Sequence, residues 1–133
     1  MGLLPPKAGN FFPMKNASDV PIACVKWYDF SKWVLERVES FPKNQRFVLG
    51  NRVSNAALDV LDALSQAAYA SGSVKAELLE SAQRRINALR WLLRMCKDRN
   101  LLSNRQFGHG CMQMEECGRM VGGWRKQVAG RSG

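Results

Sequence analysis

Residues 74–97 read VKAELLESAQRRINALRWLLRMCK, twenty-four positions without a glycine or a proline. Leu78, Ala82, Ile86, Leu89, Leu93 and Cys96 recur every three or four residues. That period places them along one side of an α-helix about 36 Å long. The polar side is lopsided. Lys75, Arg84, Arg85, Arg90, Arg94 and Lys97 face only Glu77 and Glu80, and no acid follows Glu80 before position 98. Taking 100° per residue, Arg84, Arg94 and Trp91 fall opposite the apolar stripe, with Arg90 and Lys97 on one flank and Arg85 on the other. Glu80 and Arg84 are one helical turn apart and suited to pair. Cations in the last turn complement the helix dipole. Neither effect accounts for six cations or for a tryptophan on the polar side.

Three similar patterns surround this one. Upstream, Trp27, Phe30, Val34, Val38 and Phe41 form a stripe over about 22–41, which Pro42 interrupts. Proline fits the first turn of a following helix, and Ser40 is placed to cap that restart. A second stripe, Val53, Ala57, Val60, Leu61, Leu64 and Ala68, runs over about 43–70 and ends in Ser71-Gly72-Ser73. Gly72 suits a left-handed residue between helices, and Ser73 the next N-cap. Downstream, Arg99-Asn100 begins a turn, and Ser103 is a candidate cap for a last helix over about 104–127. That helix holds Gly108, Gly110, Gly118, Gly122 and Gly123, each costing about 1 kcal/mol against alanine in a helix interior. Gly118 and Gly122 are four apart and clear one strip of surface for a close neighbour, with Trp124 as an anchor beside them. Four helices with short connections predict an all-α, antiparallel up-down-up-down four-helix bundle.

The chain has 133 residues, is 46% hydrophobic and carries a net charge of +9, with 20 Lys and Arg against 11 Asp and Glu. One domain with a substantial core follows from the size. A basic balance rich in arginine points to a polyanion or an acidic protein as partner. Four of the five prolines lie in residues 1–21, which reads as a mobile arm, with 22–127 as the bundle and 128–133 as a flexible tail. The N-terminus lacks a cationic stretch followed by an apolar run, so it is a poor secretory signal. No segment approaches the apolar length of a membrane span. The expectation is a cytoplasmic protein that contacts no membrane.

Catalytic chemistry has little to stand on. His109 is the single histidine, and nearby Cys111 lies about 200° around a helix from it, so no metal set forms. Cys24, Cys96, Cys111 and Cys117 contain no CxxC pair and read as reduced thiols. Nucleotide-binding, zinc-protease and nucleophile-elbow patterns are absent. Asp59 and Asp62 can meet on a helix, but such pairs are ordinarily solvated. No enzyme, no cofactor and no metal are expected.

Three segments carry a resemblance. They are Phe41-Pro-Lys-Asn-Gln-Arg-Phe-Val-Leu-Gly-Asn-Arg-Val53, Leu89-Arg-Trp-Leu-Leu-Arg94 and Glu116-Cys-Gly-Arg-Met-Val-Gly-Gly-Trp124. Over about residues 26–127 the chain resembles the four-helix-bundle family that includes the accessory variability determinant (Avd) of diversity-generating retroelements. Proteins encoded in ribosomal RNA intervening sequences are related to it. The resemblance implies a ring-like homo-oligomer, a pentamer, of bacterial or phage origin. It implies a basic surface that binds the element's reverse transcriptase and template RNA, with DNA as a second ligand, in support of mutagenic retrohoming. Arg90 and Arg94 match the family's paired arginines, and Arg46, Arg52 and Arg119 match basic positions in the flanking motifs. Together with Arg84 and Lys97 these are the expected binding residues, and Trp91, Gly118, Gly122 and Trp124 the expected interface residues. Arg46, Arg52 and Arg119 can equally tie helix ends together. The proline-rich arm, Trp91 and Gly108-His109-Gly110 depart from the family pattern. The alternative reading is a bundle of the intervening-sequence type with a structural role.

Overall fold

In a computed structural model the chain is described over residues 21–132; the arm expected over 1–21 lies, but for Pro21, outside them. Four long helices follow one another: α1 (Ile22–Glu39), α2 (Asn51–Tyr69), α3 (Gly72–Asp98) and α4 (Asn104–Ser132). Among the described residues there is no strand. α1 packs on α2 and α4, and α3 packs on the same two, which closes a four-helix bundle with short connections. No helix among the described residues is long and apolar enough to cross a membrane.

The core begins with α1. Trp27, Phe30, Val34, Val38 and Phe41 are all buried, as the stripe requires. Trp27 is wholly enclosed and donates its indole N–H to the Ala57 carbonyl of α2 at 2.8 Å. Its neighbour Ser31 is also buried and satisfies its hydroxyl on the Trp27 carbonyl at 2.8 Å. Phe30 stacks on Trp33, and Trp33 reaches His109 of α4 at a ring separation of 5.1 Å.

In α2 and α3 the buried rows drift from the expected phase. Ala67 rather than Ala68, and Leu79 rather than Leu78, are fully buried, while Leu61 and Leu78 pack at the edge. The row Leu79, Ala82, Ile86, Leu89, Leu93, Cys96 advances about 3.4 residues per step, near the 3.5-residue repeat of left-handed helix packing. A straight 3.6-residue helix puts Leu78 in that row instead.

The connections keep one expected cap and move two others. Ser103 and Gln106 form a reciprocal capping box, each side chain bonded to the other's backbone N–H at 3.0 Å. Asn100 takes φ +62°, and the Asn100 and Leu101 amides close on the Lys97 and Cys96 carbonyls, a left-handed helix stop. Gly72 has φ +59°, but α3 starts at Gly72 itself after Ser71, ahead of the expected cap Ser73. Ser40 does not cap the restart either. Its hydroxyl donates to the Arg37 carbonyl at 2.6 Å and closes the end of α1, because the chain turns at Pro42.

Between Pro42 and α2 lie one helical turn, Lys43–Gln45, and a π-helical turn, Arg46–Gly50. The Asn51 amide reaches back five residues to the Arg46 carbonyl. Gly50 is required here, since a Cβ on it would stand 2.9 Å from Val38 Cγ1. α4 continues to Ser132, through the segment expected as a tail, with Val128 buried.

Gly108 and Gly110 are two residues apart and opposite in kind. A Cβ on Gly110 would meet Leu93 Cδ1 and the Trp33 ring at 3.2 Å, whereas one on Gly108 meets nothing within 4 Å. Gly108→Ala therefore raises the urea midpoint by the equivalent of about 0.5–1 kcal/mol, the ordinary helix gain. Gly110→Ala lowers it by about 1 kcal/mol, because overpacking of a closed site outweighs that gain.

Burial pushes the thiols of Cys24, Cys96 and Cys117 from the ordinary 9.0 up to about 11. The native state holds them neutral, so the stability they contribute is complete below pH 9 and is lost as pH rises through 11. Chemical denaturation across that window should show the decline, and a triple Cys→Ala variant should flatten it.

Candidate nucleic-acid interface

Basic residues on α3 and α4 face each other across an open groove of about 690 Å³. α3 supplies Arg84 and Arg90, one on its outer side and one on the flank toward α4. α4 supplies Arg119, Arg125 and Lys126. The stripe Gly118, Gly122, Arg125 on α4 has spacings of four and three, so all three share one face. The two glycines leave the floor low, and α3 side chains occupy the space. A Cβ on Gly118 would lie 3.8 Å from the Arg90 guanidinium, and one on Gly122 3.0 Å from Gln83 Nε2.

Two carboxylates enter the same groove. Glu80 holds Arg84 at 2.7 Å and Arg125 at 3.1 Å, and Arg125 also donates to Gln83 at 2.9 Å. Glu115 holds Arg119 at 3.5 Å. Among the described residues, Arg90 and Lys126 have no ion pair. Five cations against two carboxylates leave the groove positive. The paired side chains all stand well out in water. Exposed pairs contribute little net energy, so an incoming anion displaces the carboxylates at small cost. The field of Arg90 also reaches Cys111. Burial raises that thiol above its ordinary value, Arg90 lowers it, and Glu115 adds to the rise.

A family model described as bAvd-like matches residues 22–128. The chain belongs to the bAvd-like family. Comparison with curated proteins gives no match, and neither does comparison with solved structures.

Within this bAvd-like bundle the expected residues divide. Arg84, Arg90, Arg119, Gly118 and Gly122 come together in the groove. Arg94 does not line it. α3 runs one residue past its expected end, and Asp98 there accepts from Arg94 Nε at 3.2 Å, so the last half of α3 has an acid after all. Lys97 lies over the Phe107 ring of α4 at 5.5 Å. Arg46 and Arg52 sit at the other connection. Arg46 donates to the Phe41 carbonyl at 3.2 Å, tying helix ends together, and Arg52 is exposed. Trp124 is half-buried with Lys75 above its ring, and Trp91 is 76% exposed. Sequence reading missed Arg125, Lys126 and Gln83. The glycine stripe pointed to Arg125, three residues beyond Gly122.

The charge balance of this bAvd-like groove can be shifted from either side. Glu80→Gln releases Arg84 and Arg125, so the variant should elute from a heparin column at higher salt than the parent chain. Arg90→Ala should elute at lower salt.

Proposed function

We propose that this chain is a non-enzymatic accessory factor of a diversity-generating retroelement, binding the element's reverse transcriptase and template RNA through its basic surface. Family membership supplies the setting. The observation that carries the reading is the glycine-floored α3–α4 groove, where Arg90 has no ion pair among the described residues and the carboxylates that hold Arg84, Arg119 and Arg125 are exposed. Phosphate oxygens suit guanidinium forks, and water-exposed pairs exchange readily for them. Such contacts position a backbone and carry no base information, so sequence preference should be small.

The factor acts as a closed homo-oligomer, a pentamer, in the bacterial or phage-infected cytoplasm. Val25, Tyr28 and Leu35 on the outer side of α1 are exposed, which supports a contact between copies. Arg94 and Lys97 lie beyond the groove on the same helix, where a protein partner can reach them.

The test is a double variant, Arg90→Ala with Arg119→Ala, whose helicity and light-scattering mass match the parent. The parent mass should be near five times the 15.0 kDa subunit. Affinity for template RNA, followed by fluorescence anisotropy, should fall at least about tenfold, since a hydrogen bond to a charged group contributes about 1.5–3 kcal/mol. The salt dependence should flatten by about 0.7 in log–log slope for each phosphate no longer neutralised. Unchanged RNA affinity would make the groove a solvated face. Pulldown of reverse transcriptase by the same variant then reports whether the enzyme shares that surface.

A further inference from the structure

The outer face of α3 carries a side chain that neither the core nor the groove accounts for. Trp91 is 76% exposed, the highest value among the large apolar side chains described. An indole is among the largest apolar groups a chain can bury, and this one is left in water. Arginines surround it: Arg84 and Arg94 in exposed pairs with Glu80 and Asp98, and Arg90 in none among the described residues. Asn87, one turn earlier on the same face, lines the α3–α4 groove, and so does the adjacent Arg90. Residues four apart on a helix have Cβ atoms about 5–6 Å from each other. Arg84 lies two turns earlier on that face, also in the groove, and Arg94 follows three residues after Trp91. The indole therefore stands beside the groove, one turn along from its rim.

We propose that the groove and Trp91 together form a site selective for single-stranded nucleic acid, with the phosphodiester backbone along Arg84, Arg90 and Arg119 and an unpaired base stacked on the Trp91 ring. The proposal rests on the reading that this groove takes nucleic acid, and it adds what kind. A duplex keeps its base faces stacked on one another, whereas a single strand can turn a base outward onto an aromatic surface. A cationic track flanked by an exposed aromatic ring has the two elements that single-strand binding needs. Stacking is indifferent to base identity, so the site discriminates strandedness and not sequence. Met95, 52% exposed and one turn beyond Trp91, offers a competing use of this face as a contact between copies of the chain. The arginines around the ring favour the polyanion, because a contact between copies would strip those charges of water, whereas phosphate oxygens replace it with charge-assisted hydrogen bonds.

The experiment uses the full chain and its Trp91→Ala and Trp91→Phe variants. Anisotropy is measured with a fluorescein-labelled oligouridine and with a labelled RNA duplex at one salt concentration. Trp91→Ala should lose about tenfold in single-strand affinity with duplex affinity little changed, and Trp91→Phe should recover most of the loss. Oligouridine should also quench the indole fluorescence of the parent chain, and the quench should be missing in Trp91→Ala. Equal loss on both probes, or loss on neither, overturns the stacking site. A lower light-scattering mass in Trp91→Ala overturns it too, by assigning the indole to a contact between copies. If the parent chain binds neither probe, this proposal and the functional reading fall together. If Arg90→Ala weakens both probes while Trp91→Ala weakens neither, only the stacking site falls.

Discussion

Trp27 holds two helices in one place by two kinds of force. Its ring is fully enclosed and packs against Phe30 at 4.8 Å, while its N–H donates to the Ala57 carbonyl of α2. An enclosed indole without that partner would leave a polar group unsatisfied, so the hydrogen bond fixes the register of α1 on α2 as well as their packing. From Phe30 the aromatic series passes to Trp33, whose ring lies against the open backbone at Gly110 of α4. α1 thus joins α2 to α4, and α3 packs on the same two helices from the other side.

The groove balances two demands on one set of arginines. Left alone, five cations around one open groove would repel, at a cost to the folded state. Glu80 and Glu115 reduce that repulsion with pairs that remain in water. Buried pairs would have been costly to break, because a charge stripped of its partner away from water has no substitute. Exposed ones lessen the repulsion while leaving the guanidinium groups open to exchange.

How much of this is legible in the sequence depends on the range of the forces involved. The α1 stripe can be read residue by residue, since helical period and hydrophobicity act locally and agree. The capping box at Ser103 is legible for the same reason. Ser40 is not, because whether a serine closes one helix or opens the next is decided by the path of the chain at Pro42. The row in α3 differs from the expected one at Leu78, and the row in α2 at Leu61 and Ala68. Left-handed packing slowly shifts the phase of a long helix, and that shift belongs to the bundle rather than to any window. At the site, Arg84, Arg90 and the two glycines follow from charge pattern and spacing, and Arg119 from the family resemblance. Arg94 falls outside the groove, and its pair with Asp98 could not be read because that acid lies one residue beyond the expected helix end. Arg125 escapes notice because the stripe reading stops at Trp124, while its partners Glu80 and Gln83 lie more than forty positions away. Pairings across helices of that kind have no local signature.

The π-helical turn at Arg46–Gly50 has a consequence for how this chain tolerates changes in length. A π turn holds one residue more per hydrogen-bonded ring than an α turn, and it does so here directly ahead of α2. Loss of one residue from the turn would let it relax to an ordinary α turn and leave the downstream helix in place. The segment from Phe41 to Gln45 would then swing about 100° around the axis. Phe41, now buried, and Arg46, now tied to its carbonyl, would leave their seats together. The join between the first two helices is thus indexed by a count of residues, and only one count lets Phe41 and Leu49 both reach the core.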